Sequence, residues 1–414
     1  MKKIFFVVST FMLGVFLCGN SVKAAQGLNE SQVTKPGVDS IVKTNNEFTF
    51  DLFSRYKTET GNIFFSPYSI SSALAMVYEG AKGKTAEEIQ NVFHFPSDAS
   101  IRRSALAKIN NTLNAENKNY KLSVANALWA QKGFQLLGDY VTLIKTYYGG
   151  KVMNVDFIKE TEKSRITINT WVEKQTNEKI KDLIAKGLVD ASTRLVLTNA
   201  IYFKGDWLNK FDVKKTEKRD FFVSSSSIIM AQMMCLTDNK TTFNYAETEG
   251  LQILELPYAG EKLSVLVLLP KVNDLKSLED SVSAEKLNGW RNQLHEAPVD
   301  IYLPKFKLGT EYLLEDTLAE MGMPTAFSGN ADFSGMTGKT GLCISKVIHK
   351  AFVEVNEEGT EAAAATAVTM KMTSAGPGHE PKRIVFNANH PFIFIIQQKT
   401  TGNILFIGRM VNPK

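Results

Sequence analysis

The sequence predicts a single α+β domain with a large, mostly antiparallel sheet component. Three observations lead there. From about Ser40 onward, helical periodicity and strand-like runs alternate without a clear linker. Many of the runs are rich in β-branched and aromatic residues and are bounded by turn chemistry. Two of them, residues 263 to 270 and 391 to 397, are apolar on both faces, which places them in the middle of the structure.

The elements follow in order. Residues 1 to 24 read as an export signal: Met1-Lys2-Lys3 is a short basic start, residues 4 to 18 are apolar, and Val22-Lys23-Ala24 supplies the cleavage positions. Bulky Phe16 and Leu17 disfavour a lipid anchor at Cys18. Residues 25 to 40 form a polar, flexible segment and residues 41 to 414 the domain. Residues 40 to 56 and 69 to 91 carry helical patterns, the second ending around Gly80 to Gly83 before a new start at Thr85-Ala86-Glu87-Glu88. A long helix is expected over 161 to 186, with Ile166, Trp171 and Ile180 on one face. Strands are expected over 122 to 130, 194 to 203, 251 to 258, 263 to 270, 299 to 308, 391 to 397 and 403 to 410.

Composition bounds the function. With 44% hydrophobic and 22% charged residues the chain is an ordinary globular protein, not a disordered one. Signal removal takes away three lysines and no acids, so the formal charge falls from +5 to +2. That balance gives no reason to expect a nucleic-acid partner. After the signal segment no stretch is long and apolar enough to span a bilayer. The two mature cysteines, Cys235 and Cys343, lack any ligand spacing and read as two independent buried thiols; no metal site and no cofactor is expected.

No enzyme signature stands out. GAKGKT (80 to 85) has two residues between its glycines where a phosphate loop needs four, and it follows a helix. There is no G-x-S-x-G elbow and no H-E-x-x-H helix. His94, His295, His349, His379 and His390 are isolated in sequence, and the basic run Lys214, Lys215, Lys218, Arg219 is interrupted by Glu217 and Asp220.

EEGTEAAAATAV (357 to 368) is the informative stretch. Alternate residues Thr360, Ala362, Ala364, Thr366, Val368, Met370 and Met372 are all small or apolar, while the other set holds Glu361 and Lys371. That is the period of a strand with one core face and one wet face. The following residues, 374 to 381, are loop chemistry. A strand tethered to a loop can be paired in one state and exposed in another, and small residues at Ala362, Ala363, Ala364 and Ala365 would let it slide between existing strands.

Six motifs, in this order, resemble those of the serpins: NIFFSPYSISSALAMVYEGAKGKT (62 to 85), LVLTNAIYFKGDW (195 to 207), DFSGMTG (332 to 338), KVIHKAFVEVNEEGTEAAAATA (346 to 367), NANHPFIFII (387 to 396) and GNILFIGRMVNP (402 to 413). The resemblance covers about residue 40 to 414. It implies three β-sheets, about nine helices and an exposed reactive loop at about 357 to 381. It implies a suicide inhibitor of serine, or cysteine, endopeptidases: the loop is cut, forms an acyl-enzyme and inserts as a strand, trapping the protease. By position Glu357, Glu358, Gly359, Thr360, Glu361 and Ala362 to Ala365 match the hinge. Ser66, Ser69, Asn199 and His349 match the cluster where the sheet parts, and Trp207, Lys305 and Glu357 the point of entry, with Lys305 and Glu357 as an ion pair. Counting from Gly359 puts the cut bond at Thr373-Ser374, with Lys371 and Met372 as neighbouring candidates; elastase-, subtilisin-, chymotrypsin- or trypsin-like targets follow from these choices. A monomer, exported to the extracellular space or cell envelope, without nucleic-acid or membrane partners is expected. The other reading is a non-inhibitory serpin acting as carrier or chaperone.

Overall fold

A computed structural model describes residues 34–115, 119–237, 241–360 and 383–414. The expected signal peptide and the loop from Glu361 to Pro381, with Ala362 to Ala365, Lys371, Met372, Thr373 and Ser374, lie outside the described residues.

The chain runs α1 (Lys35–Tyr56), β1 (Ile63–Phe65), α2 (Pro67–Tyr78), α3 (Gly83–Phe93), α4 (Ala99–Asn114), β2 (Tyr120–Gln131), α5 (Gly138–Tyr148), β3 (Lys151–Val155) and α6 (Thr161–Gln175). It continues β4 (Leu195–Asp206), β5 (Glu217–Ser224), β6 (Ser227–Leu236), β7 (Thr242–Glu247), β8 (Leu251–Pro257), β9 (Leu263–Pro270), α7 (Leu275–Ser281) and α8 (Ala284–Arg291). Then follow β10 (His295–Pro304), β11 (Phe306–Leu313), α9 (Glu315–Glu320), α10 (Ser334–Thr337), β12 (Lys346–Val355), β13 (Gly359–Thr360), β14 (Ile384–Asn387), β15 (Phe392–Gln398) and β16 (Ile404–Met410).

Local chemistry explains where the elements begin and where the sequence reading fails. The Thr34 side chain accepts from the Gly37 amide and Pro36 sits in the first turn, so α1 starts at Lys35 and takes in residues expected to be flexible. The break expected around Gly80 to Gly83 is present: α2 ends at Tyr78 and α3 starts at Gly83, parted where the Lys82 amide donates to the Asp332 carbonyl instead of continuing the ladder. The helix expected over 161 to 186 stops at Gln175, because Asn177, Glu178 and Asp182 adopt left-handed conformations with φ of 52°, 60° and 48°. Ile166, inside α6, faces solvent, and Ile180 packs from beyond the helix. The run 299 to 308 divides at Lys305 into the ends of β10 and β11.

A six-stranded sheet has the order β11-β12-β13-β4-β2-β3. A ten-stranded path, β1-β16-β15-β9-β8-β7-β10-β6-β5 with β14 on β10, is shared between two sheets. The start of β10 pairs with β7, and its Val299–Tyr302 stretch pairs with β14, with β6 alongside, so the path changes sheet within β10 and three sheets result. The two runs expected to be central, β9 and β15, are fully buried and pair with each other. Ten α-helical segments lie among the described residues, three of them of seven residues or fewer.

The six-stranded sheet has a different core on each face. Leu195, Leu197, Ile201, Val347, Ala351 and Val353 join the main cluster with α1, α2, β15 and β16. Val196, Ala200 and Ile348 belong to a smaller cluster under α6 and the chain that follows it, with Ile168, Val172, Ile180, Leu183 and Ile184. Alternation along β4 and β12 produces this division.

Candidate functional site

The seam between β12 and β4 is the candidate site. Over Lys346↔Val196 to Phe352↔Tyr202 these strands pair directly and in parallel. Beyond Phe352 they diverge, and β13 lies between them, antiparallel to both: Thr360 is opposite Val355 on one side and Gly205 on the other.

A tight hairpin aims β13 into this gap. Asn356 and Gly359 exchange both backbone hydrogen bonds (2.8 and 3.2 Å), which leaves Glu357 and Glu358 as the two turn residues. The Asn356 side chain also accepts from the Glu358 and Gly359 amides at 3.1 and 3.3 Å. Gly359 has φ of 153°, and a Cβ there would stand 2.0 Å from the Gly205 carbonyl oxygen, so no other residue fits. Thr360 is fully buried, its Oγ1 2.6 Å from the Tyr258 hydroxyl.

Trp207, Lys305 and Glu357 do meet here. Trp207 stacks on Tyr258 with centroids 4.8 Å apart, and its indole N–H donates to the Asn356 carbonyl at 2.9 Å. Its backbone amide donates to Glu358 O, and that of Phe211 to Glu357 O. The Glu357 carboxylate lies 2.8 Å from Lys305 Nζ and accepts from Thr216 at 2.8 Å. Burial alone would raise its pKa, but the bonds from Lys305, a backbone amide and Thr216 prevail and hold it below the usual carboxylate range. Lys210 pairs with Glu358.

Lower in the seam, Ser66, Ser69, Asn199 and His349 form one buried network. His349 Nε2 accepts from the Ser66 amide at 3.1 Å, so the ring proton sits on Nδ1 and is donated to Asn199 Oδ1. Asn199 Nδ2 donates to Ser69 O at 3.0 Å and to Asn126 Oδ1. Ser66 caps α2 through the Ser69 amide and donates to Leu405 O at 2.6 Å. Burial pushes the His349 pKa down to about 3, against a smaller upward effect of Asn199, so the imidazole is neutral. In register, Tyr312, His349, Asn199 and Asn126 make a row across β11, β12, β4 and β2. This row ties the two sides of the seam together.

Sequence reasoning missed Asn126, Tyr258, Thr216, Asn356 and Lys210. Asn126 had a visible signal, being a lone amide inside the apolar run LSVANALWA. Of the other described histidines, His94 pairs with Asp51 at the surface, and His390 bonds the Pro270 carbonyl. Cys235 and Cys343 are free thiols, but Cys343 is only half-buried.

A large sheet with a two-residue strand started in its middle defines a protein whose β12 and β4 leave a place for one more strand. The family model described as Serpin (serine protease inhibitor) matches residues 43–413, and the chain belongs to the serpin family. An uncharacterized serpin-like protein of Methanosarcina mazei is 40% identical, covering 100% of this chain and 99% of the relative. The leukocyte elastase inhibitor of Xenopus tropicalis is 43% identical over 88% of this chain and 97% of its own length. The structure of human thyroxine-binding globulin complexed with thyroxine superimposes with a TM-score of 0.82 at 32% identity, covering 91% of this chain and 100% of that one. Serpins are generally protease inhibitors, not enzymes.

Proposed function

We propose that this chain is an exported suicide inhibitor of serine endopeptidases. The protease nucleophile attacks the loop carbonyl at or near Thr373, the amine of the next residue leaves with a proton, and an ester joins the two proteins. The freed loop then zips between β12 and β4 before water can cleave the ester. Fourteen residues from Thr360 to Thr373 at about 3.3 Å each span about 46 Å, enough to carry the protease across the domain.

One observation carries this reading: Gly359 and Thr360 are already paired on both sides at the head of the seam. If insertion continued that register, Ala363 would come between Tyr202 and Phe352, Ala365 between Ala200 and Lys350, and Ala367 between Thr198 and Ile348. That face lies under α6, where room is short and the chain offers alanine. On the opposite face the same register would bring Thr366 level with Asn199 and His349, so a hydroxyl would arrive where the row of polar groups is parted.

The test is to mix the mature protein with elastase, subtilisin, chymotrypsin and trypsin, run denaturing gels, and weigh the released C-terminal fragment. A complex that survives denaturation is expected, and the fragment's first residue identifies the cut bond; clean cleavage across the panel without complex counts against it. The thyroxine-bound relative favours a second reading, a non-inhibitory carrier. For that reading, loop cleavage would leave the thermal midpoint unchanged.

A further inference from the structure

Where α8 ends, the fold buries two opposite charges that do not pair. Glu255 of β8 is 4% exposed, and its carboxylate accepts from Ser264 Oγ at 2.7 Å, Gln397 Nε2 at 3.3 Å and Asn244 Nδ2 at 2.6 Å. All three donors are neutral, and among the described residues Glu255 has no ion-pair partner. Gln397 is 3% exposed and spends its amide N–H groups on Glu255 and Ser264, while its Oε1 accepts nothing. Arg291, the last residue of α8, makes one side-chain hydrogen bond, from Nη1 to Asn288 Oδ1 at 2.9 Å. Its Nε and Nη2 are buried without a partner. The guanidinium lies against the β15–β16 turn, where a Cβ on Gly402 would stand 2.8 Å from Nη1.

These open positions have a definite chemistry. The Nε and Nη2 of a guanidinium form a fork that grips a carboxylate by two parallel bonds, and they are the positions left open on Arg291. A buried carboxylate met by neutral donors alone, beside a vacant amide oxygen, calls for a cation with several N–H groups, and an ammonium has three. Burial pulls the Arg291 pKa down to about 10 although Glu255 is near enough to oppose it, so the two complementary groups belong close together on one ligand. A lone anion would satisfy Arg291 but stand beside Glu255, and a lone amine would suffer the reverse.

We propose that Arg291 and the Glu255–Ser264–Gln397 row bind a small zwitterionic amino acid, its carboxylate on Arg291 Nε and Nη2 and its ammonium on Glu255 and Gln397 Oε1. The inner end is closed, Ser264 being fully buried, which restricts the ligand to a short side chain. Entry is from the exposed end of α8 at Asn288 and Asn292. None of these residues belongs to the β12–β4 seam, and the site does not depend on the inhibitor reading.

The experiment titrates the mature protein with glycine, L-alanine and L-serine by calorimetry and thermal melting, with acetate and ethylamine as probes that carry one charge each. Saturable heat is expected from at least one amino acid and from neither control. At about one hundred times its Kd that amino acid should raise the thermal midpoint by roughly 5 °C. Arg291→Met and Gln397→Leu should each weaken binding about tenfold or more, so that one variant still reads if the other folds poorly. No response to any of the three up to about 50 mM overturns the assignment. So does acetate binding as tightly as glycine, full affinity in both variants, or a crystal structure at saturating glycine in which water alone meets Arg291 Nε and Nη2.

Discussion

Thr360 Oγ1 and the Tyr258 hydroxyl lie 2.6 Å apart in a fully buried site, with the Trp207 indole stacked on the far side of the tyrosine ring. A charged side chain cannot enter this position without losing its solvation. Thr360→Arg is therefore expected to convert inhibitor into substrate: the loop is still cut, but the yield of denaturation-resistant complex falls by about tenfold or more on gels. Undiminished complex formation would count against insertion.

Cutting the loop is expected to stabilise the protein. Each ladder bond gained contributes on the order of 1 kcal/mol, and each kcal/mol raises the melting point by about 2–4 °C in a domain of a few hundred residues. A rise of roughly 10 °C or more should appear in calorimetry of the subtilisin-nicked form.

His349 makes the uncut form acid-sensitive. Its folded pKa of about 3 lies below the ordinary 6.5, so the unfolded chain takes up the proton first. The contribution to stability is complete above pH 6.5 and declines by about 1.4 kcal/mol per pH unit as pH falls toward 3. The thermal midpoint should drop between pH 6.5 and 4.5, and H349Q should flatten that slope while lowering the midpoint at pH 7.5.

Lys305 neutralises a carboxylate that is 6% exposed, although the lysine itself is 38% exposed. Lys305→Met leaves Glu357 with Thr216 and backbone partners alone, at an expected cost of about 1–2 kcal/mol in denaturant unfolding. With its pKa depressed, Glu357 stabilises the fold above its unfolded pKa and loses that effect as pH falls through the folded one. The double variant K305M/E357Q should therefore be less sensitive to acid than the parent.

Gly359→Ala tests the hairpin. The added Cβ meets backbone on β4, so β13 must leave the sheet, at about 1–3 kcal/mol. Trp207 fluorescence should shift to the red as Asn356 withdraws.

Strong local patterns were legible in the sequence and contacts between distant segments were not. The run 263 to 270, apolar but for Ser264, is β9 to the residue, because burial on both faces leaves a strong signature. The hairpin β5–β6 was not foreseen, since its exposed face mixes Lys218, Asp220 and Gln232 with Phe222, Ile228 and Met230 and so blurs the alternation. The excess length assigned to the 161 to 186 helix reflects Asn177, Glu178 and Asp182, whose left-handed backbone ends the helix while Ile180, Leu183 and Ile184 still pack into the core beneath it. At the seam, motif resemblance found both partners of the Lys305–Glu357 and Asn199–His349 contacts but one partner only of others. Tyr258 was silent because it meets Thr360 from 102 positions away, and Asn126, 73 positions from Asn199, showed only as a lone amide with no sign of its partner.

The placement of Gly359 and Thr360 between two strands also bears on speed. Starting a new strand inside a sheet ordinarily requires the chain to search for its register, and that search is the slow, entropically opposed part. Here the first rung exists beforehand and the register is chosen, so only propagation remains. In the proposed inhibitor, nucleation is completed at synthesis, and the contest with the protease's own hydrolysis begins with the slow step already behind it.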